Sequence, residues 1–150
     1  MKNLFSTPDR TGILSRLDGL RPEAPRRWGK MDAAQMLAHC AAALEMATDA
    51  QPRKQKLIGV LLAPFVRGKL IGGEAPMMKN APTDPAFVVA DPRDFAREKA
   101  RLSDGLGRFC DGGPTAAEGR VHPFFGRLTG AEWGVLMWKH LDHHFRQFGA

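Results

Sequence analysis

Apolar positions along this chain recur at steps of three and four, and almost nowhere do they alternate. The last stretch shows it best. From Trp133, the positions Met137, His140, His144 and Phe148 follow at those steps, with Leu136 and Leu141 flanking. At about 100° per residue they form one stripe of a helix, and Lys139, Asp142 and Arg146 lie opposite. Thr129 can cap this helix and Glu132 completes a capping box, so a helix is predicted from Thr129 to Phe148. Thr7 to Leu20 reads as a first helix, with Thr7 as cap, Pro8 in its first turn and Ile13, Leu14, Leu17 and Leu20 at helical spacing. Met31 to Ala47, rich in Ala, Leu and Met, reads as a second. Lys54 to Ile71 is an apolar third segment that Pro64 can kink. Asp94 to Cys110 is a fourth, marked by Phe95, Leu102, Leu106 and Phe109 and stopped by Asp111-Gly112-Gly113-Pro114.

Between them, Gly72 to Pro92 carries Pro76, Pro82, Pro85 and Pro92 and no helical pattern. A loop of about twenty residues is unusual in a compact domain. It can cover a site, pack on a partner subunit, or wrap the surface with no role in chemistry; Met77, Met78 and Lys79 are its residues best suited to contacts. Phe87-Val88-Val89 is too short to define a strand. The sum is an all-α chain of four to five helices, antiparallel by their connections, with the long loop as a crossover: an up-down helical bundle.

Histidine breaks the apolar stripes. His140 and His144 stand one turn apart where a helix normally places leucine, and His143 falls on the edge. Such a pair can ligate one metal ion. The plainer reading is one hydrogen-bonded core histidine and one partly exposed. His39 repeats the anomaly on the second helix, amid Asp32, Gln35, Met36, Ala42, Ala43 and Met46. It is either a satisfied core histidine or a third ligand. His122 precedes Pro123 in a loop.

Composition narrows the field. With 150 residues the chain is one domain's worth, and at 43% hydrophobic and 25% charged it is ordinary for a globular protein. The absence of Tyr excludes tyrosine chemistry. A net charge of +6 permits nucleic-acid contact, but the basic residues are scattered, the densest groups being Arg26, Arg27, Lys30 and Arg53, Lys54, Lys56. No nucleic-acid partner is expected. Cys40 and Cys110 are too few for a disulfide scaffold. Cys40 lies about 100° from His39 on the helix and reads as a buried small residue; Cys110 reads as inert. The first twenty residues have no apolar signal region, which sets cytoplasm as the default. The longest apolar run, Leu57 to Val66, is far short of the roughly 20 residues of a membrane span. Basic residues on both sides would let it touch a membrane surface, but burial in the core is expected, and no membrane partner.

The stretches WGKMDAAQMLAHC, APTDP, HPFFGRLTGAEWG and KHLDHHFRQFG carry a resemblance that covers nearly all of the chain. They resemble the DinB/YfiT-like superfamily of metal-dependent four-helix bundles, and within it a DinB-like subfamily described only as a domain of unknown function. The resemblance implies a DinB-like up-down four-helix bundle, one domain over residues 1–150, with one metal-binding His on the second helix and two, spaced H-x-x-x-H, on the last. On this chain those are His39, His140 and His144, the three that the helical spacing also singles out. His143 would be a neighbour, and His122 structural or exposed. Three neutral imidazoles suit Zn²⁺ or Ni²⁺ with a position left open. Asp32, Gln35 and Glu45 are candidates to hold the ligands' other ring nitrogens, Glu45 from the wrong side of its helix.

In that superfamily such sites assist reactions of low-molecular-weight thiols, in thiol S-transferases and a thiol-dependent isomerase. The resemblance therefore implies a metal-dependent thiol transferase-like enzyme acting on a small-molecule thiol. A homodimer is expected as well. A metal-dependent hydrolase, with His143 as its base, is a second reading. A non-catalytic dimeric stress or scaffold bundle is a third.

Overall fold

The computed structural model describes residues 1–48, 54–81 and 84–150. Arg53 of the second basic group, and Pro82 and Thr83 of the APTDP stretch, lie outside the described residues. Of those described, 61% are helical, as the all-α reading requires. The elements in order are α1 (Thr7–Gly19), α2 (Ala33–Thr48), α3 (Leu57–Leu70), a 3₁₀ turn (Pro85–Phe87), α4 (Phe95–Ala117), β1 (Val121–His122), β2 (Gly126–Arg127) and α5 (Gly130–Gln147). α1, α2, α4 and α5 pack on one another, α2 most extensively on α4, while α3 meets chiefly β2.

The local signals explain most boundaries. Asp32 and Gln35 cap α2 reciprocally: Asp32 Oδ1 accepts from the Gln35 N–H at 2.8 Å, and Gln35 Oε1 from the Asp32 N–H at 2.9 Å. Asp94 caps α4 by accepting from the Arg97 N–H at 2.7 Å. The box predicted for α5 is present, with Thr129 Oγ1 accepting from the Glu132 N–H and Glu132 Oε2 from the Thr129 N–H. α1 begins one residue earlier than expected, with Ser6 in the cap position.

Two boundaries differ from expectation. α4 does not stop at Asp111 to Pro114; it bends there and runs one turn further, to Ala117. The bend is Gly113, at φ 68° and ψ −179°, a conformation only glycine adopts at little cost. Pro114 then starts the last turn, where its missing N–H has no bond to lose. The second difference is the hairpin β1–β2, antiparallel with Val121 opposite Arg127 and His122 opposite Gly126. Two residues per strand leave no alternation to read.

α5 is enclosed on more sides than one apolar stripe suggests. Trp133, Leu141 and Phe145 are fully buried in the core with Met36, Leu37 and Leu44 of α2 and Leu102 and Leu106 of α4. On the opposite face, Asp142 and Lys139 are buried too. Asp142 accepts from Arg16 of α1 at 2.7 Å and from Arg146 at 2.9 Å. Lys139 is only 6% exposed, its ammonium donating to the backbone carbonyls of Leu70, Gly73 and Ala75. This cation ties the start of the long crossover to α5.

α3 corrects the expectation of core burial. Leu57, Ile58, Val60, Leu61, Leu62 and Phe65 are all exposed, Phe65 by 84%. Only Gly59 and Ala63 are buried, and a Cβ on Gly59 would stand 2.2 Å from the Phe124 carbonyl oxygen. The helix therefore docks through its smallest residues, because those permit the closest approach, and the six large side chains from Leu57 to Phe65 are left outside. Among the described residues no helix is long and apolar enough to cross a membrane.

Lys139→Met keeps the length of the side chain and removes the charge, stranding three carbonyls. The expected loss of stability is roughly 1–3 kcal/mol, read by chemical denaturation, with proteolytic cleavage appearing first between Leu70 and Met77. Unchanged denaturation and an unchanged cleavage pattern would remove Lys139 from its role as a tie.

Candidate metal centre

α2 and α5 bring three imidazoles together. One ring nitrogen from each of His39, His140 and His144 lies within 4.8 Å of the others. The rings of His39 and His144 are 4.7 Å apart, as are those of His140 and His144. His39 and His144 are buried and His140 is partly so. Nitrogens bound to one tetrahedral ion at about 2.0–2.1 Å stand about 3.4 Å apart. The triad is thus within small side-chain rotations of a ligand set.

The hydrogen bonds around the triad fix where its protons sit. His39 Nδ1 lies 2.8 Å from the Phe87 carbonyl oxygen. A carbonyl only accepts, so Nδ1 carries the proton and Nε2 keeps its lone pair. His144 Nδ1 lies 2.9 Å from Gln147 Oε1. The amide of Gln147 is oriented by its own Nε2, which donates to the Trp28 carbonyl at 2.7 Å. His144 is therefore also an Nδ1–H tautomer with a free Nε2 lone pair. His140 Nε2 faces His39 Nε2 at 2.9 Å and donates to it. That leaves His140 Nδ1 buried without a hydrogen-bond partner among the described residues. With the His140 proton moved to Nδ1, each of the three neutral rings offers one lone pair to a single cation, so the donor set fits a divalent metal.

Burial keeps the triad neutral. It pushes His144 down to about 3, the neighbouring His39 adding to the effect. It holds His140 well below the usual imidazole range, reinforced by His144 and His39, and it lowers His39 against the opposing bond to Phe87. Neutral imidazole is the form that binds a metal.

The chain belongs to the family described as Protein of unknown function (DUF1569). The match runs over residues 5–150. No curated protein and no solved structure matches the chain.

In this DUF1569 chain the crossover covers the centre. Besides the Phe87 carbonyl on His39, Gln35 Nε2 donates to the carbonyls of Ala90 and Asp91. Met77 makes a backbone hydrogen bond with His143. The Lys79 ammonium lies 4.4 Å over the Trp28 ring, and that ring tilts against His143 at 5.5 Å. His143 is adjacent to His144, with ring centres 5.0 Å apart, but stays outside the triad.

The partners proposed from sequence proximity are engaged elsewhere. Asp32 and Gln35 cap α2, and Glu45 is paired with Arg101 at 2.5 Å. The groups that do hold ring nitrogens, Gln147 and the Phe87 carbonyl, were not singled out. Gln147 had a readable signal, three residues after His144 on the same helix. A backbone carbonyl from a loop has none. Cys40 is fully buried and its thiol is pushed up by burial, so it is no nucleophile. Cys110 is half-buried, its thiol donating to the Leu4 carbonyl at 3.4 Å.

His122 lies apart, in the hairpin. Its Nδ1 accepts from the N–H groups of Phe124 at 3.0 Å and Phe125 at 3.2 Å, and its ring packs on Phe125 and Trp133. Burial pushes it down to about 4 from 6.5. Between those values the unfolded chain binds the proton and the folded chain does not, so stability falls as pH drops through that window. His122→Asn retains a side-chain acceptor for the turn. It is expected to flatten, without abolishing, the fall in melting temperature from pH 6.5 to pH 4. An unaltered pH profile would mean that His122 does not report the burial described.

Proposed function

We propose that this protein is a metal-dependent enzyme of the DinB/YfiT-like kind, with His39, His140 and His144 as its ligands and a low-molecular-weight thiol as substrate. One observation carries the metal reading. Phe87 and Gln147 hold two buried imidazoles as Nδ1–H tautomers, and a ring nitrogen of each lies within 4.8 Å of the other and of one of His140. A core that needed only packing has no use for this arrangement, since a buried imidazole contributes less than leucine and must be satisfied. In metal sites, an acceptor on the far nitrogen of each ligand is the rule.

The four-helix-bundle reading is supported by the mutual packing of α1, α2, α4 and α5 and by the crossover between α2 and α4. We read the chain as one such domain working in the cytoplasm, where free cysteines are stable. Three protein ligands leave a position for substrate, as catalytic zinc sites do. Zn²⁺ or Ni²⁺ suits the all-imidazole set, and its chemistry there would be to lower the pKa of a bound thiol so that the thiolate forms near neutral pH. The chain's own part is to keep the ligands neutral, to fix their tautomers and to shelter the centre under the crossover. The hydrolytic reading is weaker, because His143, its candidate base, is hydrogen-bonded to the Met77 backbone and stays outside the triad.

Elemental analysis of untagged protein is expected to find about one Zn or Ni per chain, and none in His144→Ala. Gln147→Met, which frees the His144 ring, should weaken metal binding by roughly 10–100-fold. If the wild type binds neither metal on incubation, the centre and the enzyme reading fall together. With cobalt in the site, small bacterial thiols are expected to produce a sulfur-to-cobalt absorption band. A spectrum indifferent to every thiol would retain the metal and reject the substrate class.

A further inference from the structure

α3 presents an apolar face whose size and shape call for a partner. Leu57, Ile58, Val60, Leu61, Leu62 and Phe65 are between 46% and 84% exposed. Together they present on the order of 600 Å² of apolar surface, at the top of what a monomer leaves in one patch and close to the roughly 800 Å² per partner of a standard interface. The patch has both a projection and a recess. Phe65 is the most exposed large hydrophobic side chain among the described residues. Beside it, Pro64, Gly68 and Ile71 line a cleft of about 480 Å³ whose other walls include Met1, Val135 and the paired Arg67 and Glu132. Projection and recess adjoin on one surface, which is what a two-fold interface needs, since each copy must offer both halves of the contact.

Charge permits the pairing. The segment from Lys54 to Gly73 contains four basic residues and no acidic one. Two of the four are already neutralised within the chain: Lys56 pairs with Asp84 at 2.6 Å, and Arg67 with Glu132 at 2.7 Å. Two copies in contact therefore do not oppose four bare cations. The same pairing weakens the attraction that an anionic membrane would exert on this helix.

We propose that two copies of this chain associate through α3 about a two-fold axis, each inserting Phe65 into the cleft lined by Pro64, Gly68 and Ile71 of the other. The contact stands independently of the metal centre.

The test is molar mass by light scattering and by sedimentation at micromolar concentration. Wild type is expected at twice the 16.5 kDa of one chain. Phe65→Glu removes the projection and should give a monomer with unchanged circular dichroism. Gly68→Leu fills the recess instead. A Cβ at Gly68 meets nothing within 4 Å in the single chain, and leucine is the better helix former, so this variant should be monomeric and no less stable. Met78→Glu, at another exposed apolar residue, should leave the dimer intact. A monomeric wild type overturns the proposal, as does a dimer that survives both Phe65→Glu and Gly68→Leu. So does a monomer whose α3 instead carries it onto phosphatidylglycerol vesicles.

Discussion

Three imidazoles enclosed between α2 and α5 set the terms for the rest of the molecule. Burying neutral histidine is tolerable only where its ring nitrogens find partners, and two of the three do. Those partners come from distant parts of the sequence. The Phe87 carbonyl lies 48 residues beyond His39, and Gln147 is itself fixed by the Trp28 carbonyl 119 residues away. The fold must therefore bring the crossover, the Trp28 turn and the end of α5 to one place before the rings are satisfied. What looks like a long, structureless loop is held at its start by Lys139, and further along by His143, Gln35 and His39.

Much of this could be read in the sequence, and what could not has physical reasons. Helical spacing brought out His39, His140 and His144, because a buried imidazole interrupts an otherwise apolar stripe at a definite angle. The capping box at Thr129 marked the start of α5, while the caps at Asp32 and Asp94 went unread. The stop after Cys110 failed because Gly113 and Pro114, which usually end a helix, can also bend one and restart it. Lys139 and Asp142, opposite the apolar stripe, are buried as well; a long cation can satisfy carbonyls and an acid can meet two arginines, and neither partner lies nearby in the chain. Hydrophobicity alone placed α3 in the core. It took the docking of Gly59 and Ala63 on the hairpin to show which face of that helix is covered, and that the larger face is not.

The metal reading and the thiol reading stand on different ground. The first rests on the clustering of the rings, their burial and the acceptors on two of the three histidines. The second rests on the chemistry that an all-nitrogen site with an open position favours, and on the resemblance of the histidine pattern to a superfamily that uses thiols. Membership of the DUF1569 family adds no activity of its own, so the chemistry of the site has to be argued from these residues.

The covering segment also bears on how such a sequence can drift. Phe87, Ala90 and Asp91 hold the roof in place through backbone carbonyls, and Leu70, Gly73 and Ala75 receive Lys139 in the same way. A carbonyl persists whatever side chain it belongs to. At these positions side chains can therefore change while the contour stays fixed, and a single inserted or deleted residue would do more damage than many replacements. In this protein the chemistry is written in side chains on helices, and its enclosure in the length of a loop.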